Sequence, residues 1–127
     1  MTEPSDSPPD PVRVVIVDDD QRYAEALAEL VGLSEHFDVV GVANGVDDGC
    51  DLLRRTGAEF GLIDVNMDGG GGVSVVRQMV DWPSRPLLVL ISAQSPDPDV
   101  ADQDAPFLPK DQLDIARLWS MWLEMRC

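Results

Sequence analysis

Basic residues are scarce in this chain: nine lysines and arginines stand against 24 aspartates and glutamates, a formal net charge of −15 over 127 residues. That balance disfavours a nonspecific grip on nucleic-acid phosphates. The length also leaves no room for a separate DNA-reading domain beside one ordinary core. Cysteine is limited to Cys50 and Cys127, too few and too distant for a disulfide framework. Histidine occurs once, at His36 in a polar turn, and is given no functional role. No apolar run reaches the length of a membrane span. Residues 1–11 hold four prolines, three acids and no apolar stretch, which matches neither a secretory nor a transit signal and reads as a disordered tail. Residues 12–127 then read as one soluble, cytoplasmic domain that contacts neither membrane nor nucleic acid.

Apolar patterning in those residues alternates between two periods. Val12–Val17 and Pro86–Ala93 are nearly continuous apolar runs, as strands covered on both faces require. Phe37–Ala43, Phe60–Asp64 and Pro106–Lys110 read as the remaining strands. Between them Tyr23, Leu27, Leu30 and Val31 form a helical stripe that Asp20 is placed to cap. Val46, Cys50 and Leu53 mark a second helix ending near Gly57, with Asp47 and Asp48 at its positive end. Val73, Val76 and Val80 mark a third, stopped by Trp82-Pro83. Asp111 is a candidate cap for a last helix running to Arg126. Strand alternating with helix predicts a parallel sheet with helices on both faces. The fold class expected is flavodoxin-like, a doubly wound (βα)5 three-layer sandwich of strand order 2-1-3-4-5, whose ligand site lies where strands 1 and 3 diverge.

The strand ends carry the polar chemistry. Strand 1 runs into Asp18-Asp19-Asp20, strand 3 ends in Asp64, strand 4 in Ser92 and strand 5 in Lys110. Carboxylates gathered in one crevice repel one another unless a cation neutralises them. Oxygen-only donors select a hard ion, so Asp18, Asp19 and Asp64 predict a magnesium site. Beside such an ion Asp64 can act as a nucleophile toward a phosphoryl group. Lys110 can then pair with the phosphate, and the Ser92 hydroxyl can donate to one of its oxygens. The glycine run Gly69–Gly72 lacks the Lys-Ser/Thr of a P-loop and the spacing of a dinucleotide fingerprint, and reads as a turn.

On these residues the chain, from Val12 onward, resembles a response-regulator receiver domain of two-component signalling, a family whose motif Asp18, Asp19, Asp64, Ser92 and Lys110 match position by position. The resemblance implies that Asp64 is the phosphoacceptor and Asp19 a direct magnesium ligand. It implies that the backbone carbonyl of Asn66 completes the metal site and that Phe107 is an aromatic switch moving with Ser92. It further implies a histidine kinase or histidine phosphotransfer protein as donor, a downstream protein as output, and no catalysis beyond self-phosphorylation and self-dephosphorylation.

Three departures from the family's pattern stand out. Asp68 occupies the place of a usual proline four residues beyond the acceptor, and Lys110 is followed by Asp111 where the family has proline. Between Ser92 and Phe107 the chain holds three prolines and few apolar residues, so the fourth helix is expected to be short or irregular. In the last helix Trp119, Met121, Trp122 and Met125 add apolar area beyond one sheet-facing stripe. They are read as a face for a partner or for a homodimer, against the simpler reading of deep packing over strand 5. Two other functions compete: a receiver-like interaction module indifferent to phosphorylation, and a haloacid-dehalogenase-like phosphatase using Asp18 as nucleophile and Asp20 as acid.

Overall fold

A computed structural model describes residues 10–93 and 105–126 of the chain. Five strands, β1 (Val12–Val17), β2 (Phe37–Ala43), β3 (Phe60–Asp64), β4 (Leu87–Ser92) and β5 (Phe107–Pro109), form one sheet in the order β2-β1-β3-β4-β5. Every pairing is parallel. Among the described residues the α-helices are α1 (Gln21–Gly32), α2 (Val46–Thr56), α3 (Gly71–Met79) and α4 (Ile115–Met125). This is the flavodoxin-like arrangement expected. Residues 94–104, where a fourth crossover helix was expected to be short, lie outside the described residues, as do residues 1–9 and Cys127.

Side chains of successive strand residues point to opposite faces, and that alternation divides the core in two. Val15, Val17, Ile63, Leu88 and Leu90 pack under α2 and α3 with Cys50, Leu53, Val75 and Met79. Val14, Ile16, Leu62, Val89 and Ile91 pack under α1 and α4 with Leu27, Val31 and Leu118. Apart from the exposed Arg13 near the start of β1 and the terminal Asp64 and Ser92, the central strands β1, β3 and β4 are apolar because both of their faces are covered.

Helix faces and ends differ in places from the apolar count. In α1 the buried residues are Ala24, Leu27 and Val31, while Leu30 is exposed. In α3 they are Gly71, Gly72, Val75, Val76 and Met79, and Val73 and Val80 are only half-buried. Gly72 sets that phase: a Cβ there would meet Leu90 Cδ2 at 2.7 Å and the Asp64 carbonyl oxygen at 2.8 Å. A residue without a side chain thus lies directly against the sheet, and positions three, four and seven further on follow it inward.

The start of α4 also moves. β5 stops at Pro109, and Lys110–Gln112 form a 3-10 turn in which the Leu113 N–H donates to the Lys110 carbonyl at 3.3 Å. Leu113 is extended, which interrupts the helix, so the cap is Asp114, whose carboxylate accepts from the Arg117 N–H at 2.8 Å, and not Asp111. Within α4 only Leu118 is fully buried; Trp119, Met121, Trp122 and Met125 are half-buried and packed against the α1-side core. Trp119 stacks on His36 at 3.9 Å and Trp122 meets Phe60 edge-on at 5.4 Å. Much of the apolar area of this helix is therefore committed to the fold. Among the described residues no helix is long and apolar enough to cross a membrane.

Candidate functional site

Parallel register brings the strand ends to one edge. Val17 pairs with Ile63, Asp64 with Ile91 and Ser92 with Pro109. The residues that follow or close each strand, Asp18, Asp64, Ser92 and Lys110, therefore emerge together at the carboxyl side. Backbone bonds fix the two acids beyond the pairing itself: the Asp18 N–H donates to the Ala43 carbonyl at 3.0 Å, and the Val65 N–H donates to the Ile91 carbonyl at 2.9 Å.

Asp18 is fully buried and Asp64 is 5% exposed. Such carboxylates need partners. Asp18 Oδ1 accepts from the Asp20 N–H at 2.8 Å, and Asp18 Oδ2 lies 2.8 Å from Lys110 Nζ. The latter contact is an ion pair without hydrogen-bond alignment, which leaves that buried oxygen without a donor. Asp64 Oδ1 accepts from the Asn66 N–H at 3.3 Å and lies 3.9 Å from Lys110 Nζ. The Asn66 side chain reaches across to the Ser92 Oγ at 3.4 Å, and Ser92 is itself buried.

Burial and then the negative charge of Asp18 push the Asp64 carboxyl up from 3.8 to about 6, against the opposing pull of Lys110 and of the Asn66 N–H. The pocket thus contains more negative charge than one ammonium neutralises. Asp18, Asp19 and Asp64 each offer a carboxylate oxygen, all within 4.8 Å of one another, with Asp19 exposed and the other two buried. An all-oxygen donor set, a surplus of negative charge and an undonated buried oxygen fit a hard divalent cation.

The loop after Asp64 turns back on the acid. Gly69, Gly70 and Gly71 all have positive φ, and a Cβ on Gly71 would fall 1.9 Å from the Val65 carbonyl oxygen, so only glycine permits this path. Asp68 is exposed at the start of this turn. Phe107 is half-buried on β5, paired in register with Leu90 and packed against the α2-side core. Asp20 turns its carboxylate onto α1, accepting from the Tyr23 N–H at 3.2 Å, which is a cap and not the stance of a phosphatase acid.

One neighbour of the site was not legible as such. Tyr23, read from its spacing as part of a core stripe, lays its ring 4.1 Å from Lys110 Nζ. Burial, followed by the charges of Asp18 and Asp64, pushes its phenol up to about 12. The signal available in sequence was only its place one turn after the acidic run.

The family model of the response regulator receiver domain matches residues 14–103. The chain belongs to that family. Solved receiver domains agree in fold: that of the putative response regulator NarL from Mycobacterium tuberculosis superposes with a TM-score of 0.81 at 27% identity, covering 92% of this chain and 97% of that one. The CheX-CheY-BeF3-Mg+2 complex from Borrelia burgdorferi gives 0.76 at 20% identity, covering 92% of this chain and 90% of that one, a likeness of fold. Among curated relatives, protein-glutamate methylesterase/protein-glutamine glutaminase 5 of Myxococcus xanthus is 26% identical over 91 residues, 72% of this chain and 26% of that protein. The transcriptional regulatory protein DegU of Brevibacillus brevis is 26% identical over 80 residues, 62% of this chain and 34% of that protein. This receiver domain thus spans about a quarter to a third of the length of those relatives.

Proposed function

We propose that this receiver domain is a phosphorylation-controlled signalling protein in the cytoplasm, accepting a phosphoryl group on Asp64 from a histidine kinase or histidine phosphotransfer protein. The observation that carries this reading is the placement of Asp64 within reach of both Lys110 and the acids of β1, in a pocket with too much negative charge to stand alone. Asp18, Asp19, Asp64 and the Asn66 carbonyl would hold magnesium, which when bound offsets the charge of both nucleophile and phosphate. A carboxylate oxygen of Asp64 attacks the phosphorus of a donor phosphohistidine, the new O–P bond forms as the N–P bond breaks, and the imidazole leaves with the electron pair.

The chain's own residues then receive the product. Lys110, 3.9 Å from Asp64, exchanges part of its carboxylate contact for a phosphoryl oxygen. Ser92 donates its hydroxyl to another, loosening its tie to Asn66 at 3.4 Å. Phe107, one strand over from Ser92, adjusts with it and alters the β5 face read by a downstream protein. Residues 12–127 serve as the receiver unit behind a tail of residues 1–11, and the chemistry ends with loss of the phosphoryl group to water.

The half-buried α4 residues Trp119, Met121, Trp122 and Met125 offer only their outer rims to an output partner or a second copy. A small acyl phosphate with magnesium should add one phosphoryl mass to the intact protein, and Asp64→Asn should abolish the addition. Labelling that persists in that variant sinks the reading. Partner binding that stays the same with and without phosphodonor would instead favour a phosphorylation-independent module, the reading that exposed Asp68 beside the acceptor motivates.

A further inference from the structure

We propose that Tyr23 is a positioning residue for Lys110, its ring face holding the ammonium over Asp18 and Asp64 where a phosphoryl oxygen arrives. Tyr23 is the only tyrosine of the chain and Lys110 its only lysine. The ammonium stands 4.1 Å from the ring centroid, 2.8 Å from Asp18 Oδ2 and 3.9 Å from Asp64 Oδ1. A lysine head on a flexible four-carbon stem is a poor fixed electrode unless something restrains it. The electron-rich face of a tyrosine attracts a cation within about 6 Å of its centroid, and more strongly where water is excluded. Here the Lys110 side chain is 15% exposed.

The backbone that carries the ring is itself held by the acid motif. Asp20 donates its N–H to Asp18 Oδ1 at 2.8 Å, and its carboxylate accepts from the Tyr23 N–H at 3.2 Å. The first turn of α1 is thereby tied to the buried acid that pairs with the lysine. When a phosphoryl group draws Lys110 away from a carboxylate, the ring contact persists, because attraction to a ring face does not demand the alignment of a hydrogen bond and two further N–H donors of the ammonium remain for oxygens. The phenol, with an ordinary value near 10 that burial and the two acids push up to about 12, is neutral at physiological pH, so the contact is one of ammonium and ring face.

The role assigned to phosphate rests on the function proposed above, whereas the ring-to-ammonium contact does not, and the test separates the two. Lysine labelled with 13C and 15N gives one side-chain signal set in the full chain. In the metal-free protein the Lys110 ε-methylene protons should be displaced upfield by the ring current, remain so in Tyr23→Phe, and return to ordinary positions in Tyr23→Leu. Ordinary positions in the wild type overturn the proposal. With saturating magnesium, Tyr23→Leu should weaken binding of beryllofluoride about 3- to 30-fold, while Tyr23→Phe stays within about twofold. Equal losses in both variants, or none in either, overturn it as well. If the wild type binds no beryllofluoride, the phosphoacceptor reading fails, and the ring-current shift still decides whether Tyr23 positions Lys110.

Discussion

Lys110 Nζ stands 2.8 Å from an oxygen of Asp18 that no other group serves and that is wholly buried. Removing one partner of a buried pair leaves an uncompensated charge, at a cost of about 3–5 kcal/mol. Lys110→Met should therefore lower the metal-free melting temperature sharply. Because a divalent cation can neutralise the same carboxylates, excess magnesium should recover much of the loss. A melting temperature equally depressed with and without the ion would show that Asp18 does not belong to a metal site.

Asp64 gives the pocket a pH signature. Its folded-state pKa is raised from 3.8 to about 6 by burial and by Asp18. Between those values the native chain retains a proton that the unfolded chain has released, so this group lowers stability as pH climbs through the window. Asp64→Asn should accordingly stabilise the metal-free protein by about 1–3 kcal/mol at pH 8, from the size of such a shift, and the gain should shrink toward pH 4. Calorimetric or denaturant unfolding at both pH values checks this. A gain independent of pH, or one larger in acid, contradicts the assignment.

The turn following Asp64 should tolerate only glycine at its close. Gly71 has φ +64° and its Cβ would fall 1.9 Å from the Val65 carbonyl oxygen. Gly71→Ala combines a left-handed backbone with a backbone clash, and about 3 kcal/mol or more of stability should be lost. Gly32→Ala is the control: nothing lies within 4 Å of its Cβ and no positive φ is involved, so stability should hold or rise by about 0.4–1 kcal/mol. Similar losses in both variants would refute the steric account.

Strands and site residues differed in how readily they could be read. The limits of β1, β2 and β3 coincide with the strands read from the sequence: β3 and most of β1 are buried on both faces and so stand out as apolar runs, while β2, half-buried at the sheet edge, is bounded by the Asn44-Gly45 turn. Helix phase was harder. Gly72 leads the inner face of α3, yet a hydrophobic count passes over glycine and seizes on Val73 and Val80 instead. Asp111 and Asp114 were equivalent as caps until the 3-10 turn at Lys110–Gln112 put the start of α4 after the second. Tyr23 counted as core because its ring is apolar, and its contact with the lysine depends on an element almost at the other end of the chain.

Amino-acid order alone determined that strand and helix alternate and that Asp18, Asp19, Asp64, Ser92 and Lys110 each stand at the end of an apolar run, since burial and propensity act locally along the chain. Tertiary structure decided what those ends do to one another. Which oxygen faces the ammonium, how far the Asp64 carboxyl is pushed up, and which ring covers Lys110 all follow from sheet order and register. Electrostatic and aromatic contacts fall off over a few ångströms, and distances of that size between remote segments exist only once the sheet has formed.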